Sequence, residues 1–148
     1  MWIILFTNKF KQMKNMAQVV GTDNYLSTLN RGIIAAGLVE QLNGDGPFTI
    51  FAPSNVAFGK LSKDFFDNLE KPENKADLAD LLNHHIIKGK INFSELKNGQ
   101  KLNTVNGKEL NVTIKNRHVS INGASVLAKD IKGSNGVLHS LDKVIILS

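Results

Sequence analysis

The chain has 148 residues, which suits one domain with one core, and its 42% hydrophobic and 21% charged content is ordinary for a globular protein. It holds no cysteine. That removes a disulfide framework, a thiol nucleophile and a thiolate metal site, and leaves the compartment open. The net charge is +5 and the pI is near 9.5, a balance that favours an acidic glycan or an anionic surface as partner. No lysine block and no aromatic–basic ladder accompanies it, so nucleic acid is not expected.

No apolar run approaches the roughly 18–20 residues of a membrane span, and none is expected. In the opening MWIILFTNKFKQMKNM, the run Trp2–Phe6 is shorter than a signal core of about 7–15 residues and lacks preceding positive charge. Phe6, Phe10, Met13, Ala17 and Val20 recur at helical spacing, with Lys9, Lys11 and Lys14 off the stripe. Residues 1–15 therefore read as an extension (leader, tag-like segment or amphipathic helix) and 16–148 as a single domain. Met13 and Met16 are plausible alternative starts.

The next stretch reads as helical. Leu26, Leu29, Ile33, Ala36 and Leu42 favour helix, broken by Gly32 and Gly37. NGDGP at 43–47 is turn chemistry, and PFTIFAPS at 47–54 reads as a buried strand that stops at Pro53. Ser54 or Asn55 can cap a short helix through Ala57 and Leu61. Pro72 and Glu73 are expected to start the longest helix, running to about Ile87 and ended by Gly89. The second half changes character. KLNTV, KELNVTI, HVSI and ASVLAKDI are short β-type segments, with hairpin signals at Asn106-Gly107 and Asn122-Gly123. The tail is expected to end in an apolar strand, Val144–Leu147. The outcome is an α+β domain, helices first and antiparallel strands second.

Two of the four histidines are adjacent, His84 and His85 in LLNHHIIKG. Leu78, Leu81 and Leu82 set a helical face whose next core position is 85, so His85 is expected inside. His84 then turns about 100° away, toward Asp80 one turn back. Two side chains that diverge make a poor metal pair, and nothing in the spacing adds ligands from His118 or His139. His139, in the alternation Val137-Leu138-His139-Ser140-Leu141, is a second candidate for a core histidine. A buried ring must satisfy its nitrogens, since an orphaned polar group costs about 1–3 kcal/mol.

Catalytic templates are missing. There is no GxSxG or GxGxxG, and Gly59-Lys60, Gly89-Lys90 and Gly107-Lys108 lack the rest of a phosphate loop. Asp64, Asp67, Asp77 and Asp80 read as solvated. An enzyme would need His84, His118 and a carboxylate to converge in one cleft, which is not expected. Asn92-Phe93-Ser94 and Asn111-Val112-Thr113 match the glycosylation sequon.

Three stretches resemble the signatures of the fasciclin domain family. TIFAPSNVAF at 49–58 resembles its first, LLNHHIIKG its central Tyr-His stretch, and NGVLHSLDKVIIL at 135–147 its closing one, in order and at the right spacing. On them the chain is identified as a member, over roughly Met16 to Leu147. The resemblance implies a β-sandwich or wedge with helices packed alongside. It makes Phe51, Ala52, Pro53, Asn55, Phe58, His85, Gly89, Asn135, Gly136, His139 and Asp142 determinants of the fold. His84 replaces the tyrosine of the Tyr-His pair, a region linked to adhesion-receptor binding in animal members. Lys129-Asp130-Ile131 resembles an Asp-Ile element associated with integrin recognition, with flanks that depart from it. His84, Lys129, Asp130 and Ile131 are thus the tentative interaction residues.

What the resemblance implies for function is a non-enzymatic binding module without cofactor or metal. It would be secreted or surface-associated, with cell adhesion or matrix or biofilm association through protein or glycan contacts. As a lone copy the chain resembles a small bacterial secreted protein, expected as a monomer. The alternative is carriage of a small apolar ligand such as a carotenoid, which some members bind.

Overall fold

The computed structural model describes residues 13–147. Three helices come first, α1 (Met16–Thr22), α2 (Ser27–Ala35) and α3 (Val39–Asn43). Strand β1 (Phe48–Pro53) follows, then α4 (Asn55–Gly59), α5 (Lys63–Leu69) and α6 (Lys75–Asn83). The rest is β2 (Ile86–Lys88), β3 (Lys101–Asn103), β4 (Glu109–Lys115), β5 (His118–Ile121), β6 (Ala124–Ser125), β7 (Ile131–Gly133) and β8 (Gly136–Leu141). They form two four-stranded sheets, β2-β1-β8-β7 and β3-β4-β5-β6. The strands of the second half are antiparallel to one another, but β8 runs parallel to β1, from Phe48↔Gly136 to Pro53↔Leu141. A parallel pair needs a long crossover, and everything between these strands in the chain supplies it.

The TIFAP run is apolar on both sides because β1 is covered on both faces. Ile50 and Ala52 join a cluster with the helices, together with Met16, Leu29, Leu78 and Leu82. Phe51 faces the other way, into a second cluster with Leu102, Leu110, Val112 and Ile121 of the second sheet. The layers are therefore helices, first sheet, second sheet. At the end of β1, Ser54 Oγ accepts the Ala57 N–H at 3.3 Å and caps α4. Asn55 then ties α4 to α2, accepting the Thr28 N–H at 2.9 Å and donating to the Asn24 carbonyl at 3.0 Å.

Gly32 does not break its helix, contrary to expectation. Its bare face lies against Phe66 and Leu82, so a small residue there lets α2 approach its neighbours. The break comes at Gly37, in the left-handed region at φ 72°.

The longest expected helix also ends early, at Asn83, and Ile86–Lys88 is strand. The β-branched pair Ile86-Ile87 suits a strand better than a helix, and it completes the open edge of β1 with Thr49↔Ile87 in register. Gly89 (φ 97°) ends that strand, donating its N–H to the Pro47 carbonyl at 2.8 Å. The tail Val144–Leu147 belongs to no strand; β8 closes at Leu141. What holds the tail is His85. Its ring is 1% exposed. Nε2 accepts the Ile145 N–H at 2.9 Å, and Nδ1 lies 2.9 Å from the Leu81 carbonyl. An amide N–H can only meet a lone pair, so Nε2 is bare and Nδ1 carries the proton, donating it to Leu81. Burial pushes this imidazole down to about 4.

Residues 1–12 lie outside the described residues, and with them the Phe6 and Phe10 positions of the amphipathic stripe. Lys14 and Asn15, read as part of the extension, are tied to the fold. The Lys14 carbonyl accepts the Ser134 N–H at 2.7 Å. Asn15 and Gln18 cap α1 reciprocally, each at 3.0 Å. The Met16 N–H then donates to Asn135 Oδ1 at 2.7 Å, while Asn135 Nδ2 donates to the carbonyls of Leu42 and Gly44. A Cβ on Gly136 would collide with the Phe48 carbonyl, so only glycine lets β8 lie this close to β1.

His85→Ala leaves Ile145 N–H unpaired in the core and costs about 3 kcal/mol in urea unfolding, against about 1 kcal/mol for His84→Ala. Because the folded imidazole resists the proton that the unfolded one takes up near 6.5, stability is full above about pH 6.5. It falls as pH drops toward 4, by about 3 kcal/mol. His85→Gln removes that part of the acid slope; an unchanged slope would mean the ring is not held neutral. Starting the chain at Met16 removes the cap and sets a charged amine against Asn135, costing about 2–3 kcal/mol in the same measurement.

Candidate functional site

The four tentative interaction residues do not form one site. His84 was expected on a polar face beside Asp80. Instead the helix ends one residue before it, the chain turns, and His84 is 7% exposed. It lines a hollow of about 290 Å³ with Phe65, Leu69, Asp80, Lys108 and Leu147. Its Nδ1 has no partner among the described residues. Burial lowers its pKa, opposed by the Asp80 carboxylate and reinforced by Lys108. His118 is elsewhere, exposed on β5 with Nε2 2.8 Å from Ser125 Oγ. Among the described residues no group of three or more His, Asp or Glu side chains could hold a metal ion.

Lys129 and Asp130 point back into the domain. Lys129 Nζ sits 4.4 Å from the centre of the Phe93 ring. Asp130, at φ 56°, accepts the Phe93 N–H on Oδ1 at 2.9 Å. Its own N–H donates to His139 Nδ1 at 3.1 Å, so His139 is protonated on Nε2, which donates to the Ile91 carbonyl at 2.8 Å. His139 is completely buried. The Asp130–His139 pair thus clamps the 91–93 segment to β8. Asp142, also in the closing signature, accepts the Ser125 N–H at 2.7 Å and lies 3.8 Å from Lys60 Nζ.

Ile131 alone reaches a surface fit for contact. It lines an apolar cleft of about 280 Å³ with Tyr25, Leu26, Val56, Leu127 and Ala128. Tyr25 is 79% exposed, Val56 64% and Leu127 57%. Of the seven large hydrophobics exposed among the described residues, three line this one cleft. Such clustering marks a contact surface, whereas single exposed hydrophobics do not. Each side chain is set by the backbone. Asp23 Oδ1 accepts the Tyr25 N–H at 2.9 Å, and Leu127 N–H donates to the Ser140 carbonyl at 2.8 Å. Val56 points outward because Ala57 and Phe58, its neighbours on α4, point inward. On the other side of Tyr25 and Ile131 a wider hollow of about 620 Å³ carries Lys14, Lys132 and Asp23. Sequence reasoning missed Tyr25, Val56 and Leu127. The phase of α4 could have found Val56; Tyr25 lies in a single 3₁₀ turn and Leu127 in an irregular stretch, neither long enough to show a period.

No helix among the described residues is long and apolar enough to cross a membrane. The fasciclin domain model matches residues 24–147. Protein sll1483 of Synechocystis sp. is 37% identical over 131 residues, covering 88% of this chain and 72% of that one. The transforming growth factor-beta-induced protein ig-h3 of Sus scrofa is 35% identical over 134 residues, 89% of this chain but 19% of its own length. Among solved structures, a FAS1 domain pair from the insect cell adhesion molecule Fasciclin I superposes with a TM-score of 0.79 at 16% identity, covering 90% of this chain and 51% of that one. With that match in architecture, and with a family model spanning the helices from α2 onward, both sheets and the histidine-held tail, the chain belongs to the fasciclin domain family.

Proposed function

We propose that this chain is a non-enzymatic binding module, extracellular or surface-attached, that serves adhesion or matrix or biofilm association as a monomer. Its main contact is with a partner protein at the Tyr25–Val56–Leu127 cleft. The observation that carries the reading is that cleft: three large apolar side chains, each more than half exposed, gathered from three separate segments. Covering a Val or Leu by a partner contributes roughly 1.5–3 kcal/mol each, so this patch can supply the centre of an interface. The adhesion molecule among its structural neighbours agrees with the reading.

The experiment is retention of labelled protein on cells of the source organism. Tyr25→Ser/Leu127→Ser, both at exposed positions, is expected to fold as wild type and to lose at least about tenfold in retention. Equal retention would overturn the cleft as the contact. Full recovery of the native protein from the cytosolic fraction would overturn the surface module.

A second reading rests on the cleft and the wider hollow sharing Asp23, Tyr25 and Ile131 as lining. An elongated apolar ligand, a carotenoid for instance, could lie along both. Native protein carrying such a ligand shows a visible absorption band and releases the chromophore into organic solvent; a colourless extract removes this reading.

A further inference from the structure

Strands β2 and β3 belong to different sheets, yet they meet at a single bridge, Ile87↔Thr104, reinforced by the Val105 N–H to the Ile86 carbonyl at 2.9 Å. A groove of about 440 Å³ opens there. Ile87, Ile91, Leu102 and Val105 line it with aliphatic surface, while Lys88 comes from one strand and Lys101 from the other. Both lysines are exposed, and neither side chain makes a hydrogen bond or ion pair with a described residue. No carboxylate among the described residues lines the groove. The wider stretch leans the same way: residues 88–109 hold Lys88, Lys90, Lys97, Lys101 and Lys108 against Glu95 and Glu109, a net +3.

We infer that this groove binds a short acidic segment of a partner protein, an aliphatic side chain seated between the strands and carboxylates on Lys88 and Lys101. It adds a second contact surface to the module proposed above and does not depend on the Tyr25 cleft, with which it shares no residue. Charge complementarity selects an anion. The aliphatic lining, with no aromatic ring among the described residues to stack a sugar, selects a peptide over a glycan chain. Lysines on strand edges also discourage edge-to-edge pairing of sheets. That role needs no apolar hollow between them.

The test is titration of ¹⁵N-labelled protein with the peptide acetyl-Glu-Leu-Glu-Leu-Glu-amide, its lysine counterpart, an oligouronate and laurate. The expected result is that the acidic peptide alone shifts the amides of Lys88, Leu102, Asn103 and Val105. Its affinity falls about fivefold or more between about 50 mM and about 300 mM salt, and by at least that much in Lys88→Glu/Lys101→Glu. Lys88→Gln/Lys101→Gln, which removes charge without reversing it, is expected to fall in between. Tyr25→Ser/Leu127→Ser is expected to bind the peptide as wild type does, which separates failure at this groove from failure of the cleft. Absence of shifts at the groove, equal binding of the lysine peptide, or the same shifts with oligouronate or laurate would overturn the assignment.

Discussion

The constraint on which the molecule depends is that β1 has no solvent face. Ile50 and Ala52 must meet the helices, and Phe51 must meet the second sheet. That demand places α2 and α6 above the strand and β3 to β5 below it. It also asks for a partner on each edge, β2 on one side and β8 on the other. Burying a polar backbone on two faces is tolerable only when its hydrogen bonds are complete. The pairing of β8 from Gly136 onward, made possible by the missing side chain there, meets that condition on one edge.

The buried histidines extend the same logic to the chain ends. His85 and His139 are neutral rings whose two nitrogens are each engaged, one joining a helix end to the tail and the other joining a loop to β8. A ring with one donor and one acceptor can bridge two backbone segments that have no strand partner of their own. An aliphatic residue would fill the space but leave an amide unpaired. Residues of the family signatures thus form the scaffold, and the surfaces proposed for contact draw mainly on side chains outside them, with Val56, Ile87 and Lys88 the exceptions.

Much of the scaffold was legible because its signals are local. The doubly buried strand reads as an unbroken apolar run, Ser54 as a cap, and the Asn-Gly pairs at 106 and 122 as turns. The boundary at 84–88 was not, because Leu78, Leu81, Leu82 and His85 keep helical phase past the end of α6. What ends the helix is the open edge of β1, a partner some 35 residues earlier in the chain. The apolar tail looked like a strand for the converse reason; it docks through Ile145 without pairing, while Ile146 stays exposed. The contact surfaces were least legible. Tyr25, Val56 and Leu127 come together only in space, and the basic groove draws on lysines that look evenly scattered until two strands face each other.

The grip on Asn135 bears on how the molecule ages. An asparagine followed by glycine is a weak link in any long-lived protein. The next backbone nitrogen can attack the side-chain amide carbon, expel ammonia and leave an aspartate or its isomer after hydrolysis. Asn135-Gly136 sits at the junction of three segments, where that change would put a charge in the core. Here both ends of the amide are held, by Met16 on one side and by Leu42 and Gly44 on the other, and Gly136 is locked into β8. The attack geometry is out of reach while the fold persists. Chemical wear is thereby diverted to exposed pairs such as Asn43-Gly44, whose asparagine side chain no described residue holds.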